Sequence, residues 1–257
     1  MKKILWLTYY KVIPYRIFWI SLSLFLAVFL LGIGVMSVFT GGAGMGATLS
    51  PLLQRPYIWG NLCWVGQVGH FILSFLLVML VVNDYEQGTL RKQVMDGASR
   101  NMMLGHYAFL GVLLSFMALT VVLFAGLFFG EKGSSPFGTW VQLGIMGRFF
   151  LEGVSLHAAT LFAILLVRKS VPAILFLSLW QVCLEPLLGL ALNHYVHDGI
   201  SSYLPFHALS NLIPAPHLTF VGVSDSDPLS WIEWLVSLGY TGIFYLGSWL
   251  RLKYQDL

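Results

Sequence analysis

The sequence predicts an all-α, polytopic membrane protein with six transmembrane helices, and three observations predict it. Hydrophobic residues make up 58% of the 257 and charged residues only 10%, a balance outside that of water-soluble domains. The apolar residues fall into six blocks of about 20, the length at which a helix crosses roughly 30 Å of hydrocarbon. None of the blocks shows the period-2 alternation of a membrane strand, so helices and not a barrel satisfy the backbone in lipid.

Along the chain, MKKILWLTYYKVIPYR (residues 1–16) mixes four basic residues with Ile4, Leu5, Trp6, Leu7 and Val12, and is interrupted by Pro14. This pattern fits an interfacial helix in the headgroup plane that ends at the proline. The first span is Ile17–Phe39. At about 23 apolar residues it exceeds the 7–15 of a signal-peptide core, and it is expected to be retained. The further spans are Ile58–Val82, Gly105–Gly130, Leu143–Val167, Val171–Asn193 and Trp231–Leu250. Before the last span lies an outer segment, 194–230, with no Lys or Arg but with Pro205, Pro214, Pro216 and Pro228. Its apolar pieces, Tyr203–Leu209 and Leu212–Val223, are too short to cross, and read as re-entrant helices. The whole chain, 1–257, reads as one transmembrane domain.

Eleven of the fourteen Lys and Arg fall on one side of this arrangement, at both termini and in the loops after the second and fourth spans. The positive-inside rule makes that side cytoplasmic and the protein multi-pass in a bacterial inner membrane. Inside-loop basic residues account for the net charge of +3, so no nucleic-acid partner is called for. Cys63 and Cys183 lie inside spans and offer neither a disulfide framework nor a zinc motif.

One cytoplasmic stretch is dense in polar groups. Asn83–Arg100, NDYEQGTLRKQVMDGASR, holds Asp84, Glu86, Arg91, Lys92, Asp96 and Arg100, punctuated by Gly88 and Gly97. Thr89–Asp96 has room for about two helical turns, with Thr89 as N-cap and Gly97 as stop. Ser99 offers a fresh N-cap for the next span. The alternative is a plain solvated linker.

Chemistry-bearing motifs are few. Gly41–Thr48 mimics the spacing of a phosphate-binding loop, but Ala47 stands where the lysine is required. Metalloprotease and serine-hydrolase motifs are absent. Gln67, His70, Arg148, Glu152, His157 and Glu185 lie within the hydrocarbon, where such groups must pair or face water. Arg148 and Glu152, four apart, are expected to pair on one helix face. With Gln67, His70 and Glu185 they form a candidate cluster in the outer half of the membrane, either fixing helix packing, lining a substrate route or supporting intramembrane catalysis. His194 and His197, with His207, His217 and Asp198 nearby, have too little fixed geometry to assign a metal site.

Glu86-Gln87-Gly88-Thr89-Leu90-Arg91, continuing through Asp96-Gly97-Ala98-Ser99-Arg100, resembles the segment after the second span of ABC-2-type transporter permeases, in which E-x-G-T-L is followed by a small-residue/Ser-Arg step. At motif level the resemblance covers about residues 84–106, and His106 departs from it where many relatives carry Lys. In architecture it covers the chain. The resemblance implies a non-enzymatic transport subunit, a homodimer in the lipid bilayer. Residues 83–104 would be a coupling segment, with Glu86, Gly88, Thr89, Arg91, Lys92, Asp96 and Arg100 meeting a soluble ABC ATPase. ATP and Mg would be bound by that partner, and this chain would carry no cofactor. The other readings are a membrane-embedded enzyme using Glu152, His157 or Glu185, and a non-transporting scaffold or immunity-type protein.

Overall fold

A computed structural model of the chain describes residues 12–40, 58–95, 97, 99–129, 140–195, 200–213 and 231–254. All the described elements are helical. They are α1 (Arg16–Thr40), α2 (Ile58–Glu86), α3 (Thr89–Met95), α4 (Arg100–Phe129), α5 (Trp140–Val167), α6 (Ser170–Leu179), α7 (Glu185–Tyr195), α8 (Pro205–Ser210) and α9 (Trp231–Lys253). A π-helical turn, Trp180–Leu184, joins α6 to α7, and a 3-10 turn, Ile200–Tyr203, precedes α8.

Five helical stretches are long and apolar enough to cross a membrane: Arg16–Val35, Ile58–Glu86, Arg100–Phe129, Leu143–Val167 and Ser170–Tyr195. The expected sixth, α9, is helical throughout but carries Glu233, Arg251, Lys253 and many Trp, Tyr, Gly and Ser, which dilute its apolar character. Most of the 1–16 interfacial segment lies outside the described residues. Its end, Val12–Tyr15, makes a turn closed by the Tyr15 N–H on the Val12 carbonyl at 3.2 Å.

The bundle is built around α2 and α5. Their spanning windows are 67% and 72% buried, against 22% for α1 and for the α6–α7 stretch. Helix α5 packs on α2, α4 and α9, while α1 lies against α2. Lipid tails are as apolar as leucine, so close approach of backbones has to supply the packing. Gly66 of α2 faces Phe149 so closely that a Cβ would come within 2.9 Å of the ring, and Gly126 of α4 lies against the face of Trp59. Trp59, Tyr107, Phe25, Phe29 and Phe149 are the largest of the fully buried side chains.

The fifth stretch stays helical through Pro186, which has no N–H for an intrahelical bond. The π-helical turn just before it, in which the Glu185 N–H reaches back five residues to the Trp180 carbonyl, absorbs that disruption.

Candidate functional site

The polar Asn83–Arg100 segment holds a short helix between two glycines in left-handed backbone, Gly88 (φ 63°) and Gly97 (φ 88°). Side chains are disfavoured in that region, which is why both corners are glycine. The helix ends at Met95. Ser99 caps α4 through its hydroxyl, which accepts the Met102 N–H at 3.2 Å. Thr89 does not cap α3 as expected. Its one hydroxyl hydrogen is shared instead between the Asp84 carbonyl and carboxylate, both at 3.1 Å, because the sharp turn at Gly88 brings the end of α2 beside it. Tyr107 of α4 donates to the other Asp84 oxygen at 2.7 Å. Asp84 is thus a buried junction of α2, α3 and α4.

The far end of the segment is tied to the last helix. Arg100 donates to the carbonyls of Leu252 (3.0 Å) and Lys253 (2.6 Å), satisfying acceptors that the C-terminus of α9 leaves open. The Trp249 indole donates to Asn101 at 3.0 Å beside it. Between these ties Leu90 points inward, while Glu86, Lys92 and Met95 are exposed, Met95 at 77%. Only the backbone of Arg91 is described, and Asp96 lies outside the described residues. Next to the segment an open cleft of about 490 Å³ is lined by Tyr85, Glu86, Arg168, Lys169 and the start of α6.

Three of the six intramembrane polar residues, Gln67, Arg148 and Glu185, hold the backbone of residues 207–212. Gln67 of α2 donates to the Ser210 carbonyl at 3.2 Å and also faces the buried Glu152 carboxyl. Arg148 of α5, 3% exposed, donates to the Leu212 carbonyl and pairs with Glu233 of α9, both at 3.3 Å. The pairing expected with Glu152 is therefore not made: α9 brings a carboxylate from a different helix, and Glu152 turns toward Gln67 and Cys63 of α2.

Glu185, 1% exposed, accepts the His207 N–H at 2.6 Å and the Trp180 indole N–H at 3.0 Å. It thereby serves the first turn of α8, whose N-cap residue Leu204 has no side-chain acceptor to offer. Tyr240 of α9 donates to the Tyr203 carbonyl at 2.7 Å. Four helices thus grip the main chain of residues 203–212.

His70 stands apart, deeper in the bundle. Its ring packs on Phe149 (centroids 4.3 Å apart) and lies edge-on to His157 (6.0 Å). His157 in turn contacts the Ser115 hydroxyl at 2.9 Å.

Sequence reasoning passed over Tyr107, Ser115 and Glu233, and gave Asp84 no role beyond its charge. An available signal for Glu233 was its place in the first turn of a span, where a carboxylate in the outer half needs a cation. Among the described residues no three His, Cys, Asp or Glu are placed to hold a metal ion. His197, Asp198 and His217 fall outside the described residues. The chain matches no protein-family model and no curated protein.

Proposed function

We propose that this chain is the transmembrane subunit of an ATP-driven exporter of the ABC-2 permease type, in which the Thr89–Met95 helix receives force from a separate soluble ATPase. The observation that carries the reading is the form of that segment. It is a short helix turned by Gly88 and Gly97, anchored at both flanks and exposed at Glu86, Lys92 and Met95. A loop needed only to connect α2 to α4 has no use for such anchoring. The open cleft beside it gives a partner room to seat.

In this reading α9 is the sixth span. Its C-terminus sits beside the start of α4 through Arg100, which supports placing both on the cytoplasmic face with the basic residues Arg251 and Lys253. The chain carries no phosphate-binding loop, so ATP and Mg belong to the partner. Two copies of the chain in a bacterial inner membrane would pair with two ATPases and export or flip a substrate by alternating access. Glu86, Lys92 and Met95, with Arg91 and Asp96, form the contact surface, whereas Arg100 acts as an internal tie. The outer segment 203–212 closes the opposite face, and the polar residues that grip it hold it there.

The test is purification of the full chain in mild detergent with the ATPase encoded beside its gene. A stable complex with stimulated ATP hydrolysis is expected. Glu86→Lys and Lys92→Glu should each lower the stimulation while leaving membrane insertion unchanged. A chain that inserts normally yet binds no ATPase would end this reading.

A further inference from the structure

The deepest polar contact in the bundle fixes the tautomer of a histidine. The Ser115 hydroxyl has one hydrogen and two neighbours at 2.9 Å, the Gly111 carbonyl and His157 Nδ1, and both contacts are hydrogen bonds only when that hydrogen goes to the carbonyl, which can only accept. At its 2.9 Å contact with His157 Nδ1, Ser115 Oγ is therefore the acceptor and the proton sits on Nδ1. The Gly153 carbonyl, another pure acceptor, also faces the His157 ring. An uncharged ring with its proton on Nδ1 carries a bare lone pair on Nε2.

That lone pair is buried and has no hydrogen-bond partner among the described residues. Beside the His157 ring, at 6.0 Å between centroids, is His70, fully buried, with both ring nitrogens also unpartnered among the described residues. The Phe149 carbonyl faces this ring without closing a hydrogen bond of normal geometry. An unmatched buried polar atom is costly, so three at one seam between α2 and α5 require an explanation. Gly153 lets both side chains close on the α5 backbone: a Cβ there would strike the His70 ring and lie 2.8 Å from Ser115 Oγ.

We propose that a water molecule binds at this seam and bridges α2 to α5, donating hydrogen bonds to His157 Nε2 and to the unprotonated nitrogen of His70. The chemistry selects a donor, since His157 Nε2 is an acceptor and an uncharged His70 presents a second. Water is the smallest species that donates twice, and buried polar niches of this kind are where proteins keep ordered water. The two most buried helices are then joined at their centre by a solvent molecule, and can part there by admitting more water. The inference does not depend on the ATPase partnership.

The experiment uses the full chain, labelled with 15N-histidine and reconstituted in phosphatidylcholine vesicles, read by solid-state NMR with magnetisation transferred from water. His70→Phe and His157→Phe assign the two rings. The expected spectrum shows His157 as the Nδ1–H tautomer, with transfer from water to its Nε2 and to one nitrogen of His70. Ser115→Ala should lose the Nδ1–H preference and Ser115→Thr, which keeps a hydroxyl, should retain it. His157 found as the Nε2–H tautomer in the unaltered chain overturns the proposal. So does absence of water transfer to both rings while the exposed His194 shows it strongly. Stoichiometric metal in the purified chain, with both ring signals shifting on chelation, also overturns it, because the lone pairs would then be metal ligands.

Discussion

The two polar regions at opposite ends of the bundle are held in opposite ways. At one end, side chains from four helices (Gln67, Arg148, Glu185 and Tyr240) bond to the main chain of residues 203–212. At the other, α3 is tied at its flanks by Asp84 and Arg100 and turns Lys92 and Met95 outward. A segment gripped by its backbone is fixed in position while most of its own side chains remain replaceable. A segment gripped only at its ends is presented, and its outward side chains carry whatever it does.

Substitutions can break or sharpen this contrast, and the largest effect is expected at Arg148. Replacing it with Leu strands Glu233 and the Leu212 carbonyl. Because Glu233 keeps a third of its surface exposed, the cost should lie near the low end for a broken buried pair, about 3 kcal/mol, read as a lowered melting temperature in detergent. Glu185→Ala removes two charge-assisted bonds and should cost about 2 kcal/mol, with protease cleavage appearing first in residues 200–213. On the other face, Arg100→Ala should cost about 1 kcal/mol and speed hydrogen exchange at residues 250–254.

Gly97→Ala forces a side chain into left-handed backbone and should cost about 1 kcal/mol by the same melting measurement. The smallest effects sharpen the contrast most. Lys92→Ala and Met95→Ala should each move stability by under about 0.5 kcal/mol while reducing ATPase stimulation in the co-purified complex. Ser210→Ala should leave both unchanged, since Gln67 bonds its carbonyl and not its side chain.

Much of this arrangement is legible in the sequence, because it is set by local rules. Lipid demands continuous helix, so the apolar blocks mark five crossing helices and the α9 helix to within a few residues. The glycines at 88 and 97 and the serine at 99 mark corners and a cap because their backbone chemistry acts within one turn. The partners of buried polar groups follow a different logic. Arg148 has Glu152 one turn away, and a local reading pairs them, yet its carboxylate comes from Glu233, 85 positions on. Packing of α9 against α5 decides that choice, and packing is not local. Gln67 and Glu185 are harder still, since each bonds main-chain groups that every residue carries and no sequence pattern distinguishes. The same holds for Arg100, whose charge points to a partner protein until the C-terminus of α9 is placed beside it.

The π-helical turn at Trp180–Leu184 has a consequence for how the fifth crossing behaves as a shaft. It accommodates one residue more than an α-turn, and a helix advances about 100° per residue. Taking that residue out of the turn would rotate everything beyond it by about a quarter revolution and swing the Glu185 carboxylate off the His207 N–H that it holds. The π-turn thus fixes the angular setting of α7 relative to α6, and it is at this setting that the Glu185 carboxylate meets the His207 N–H.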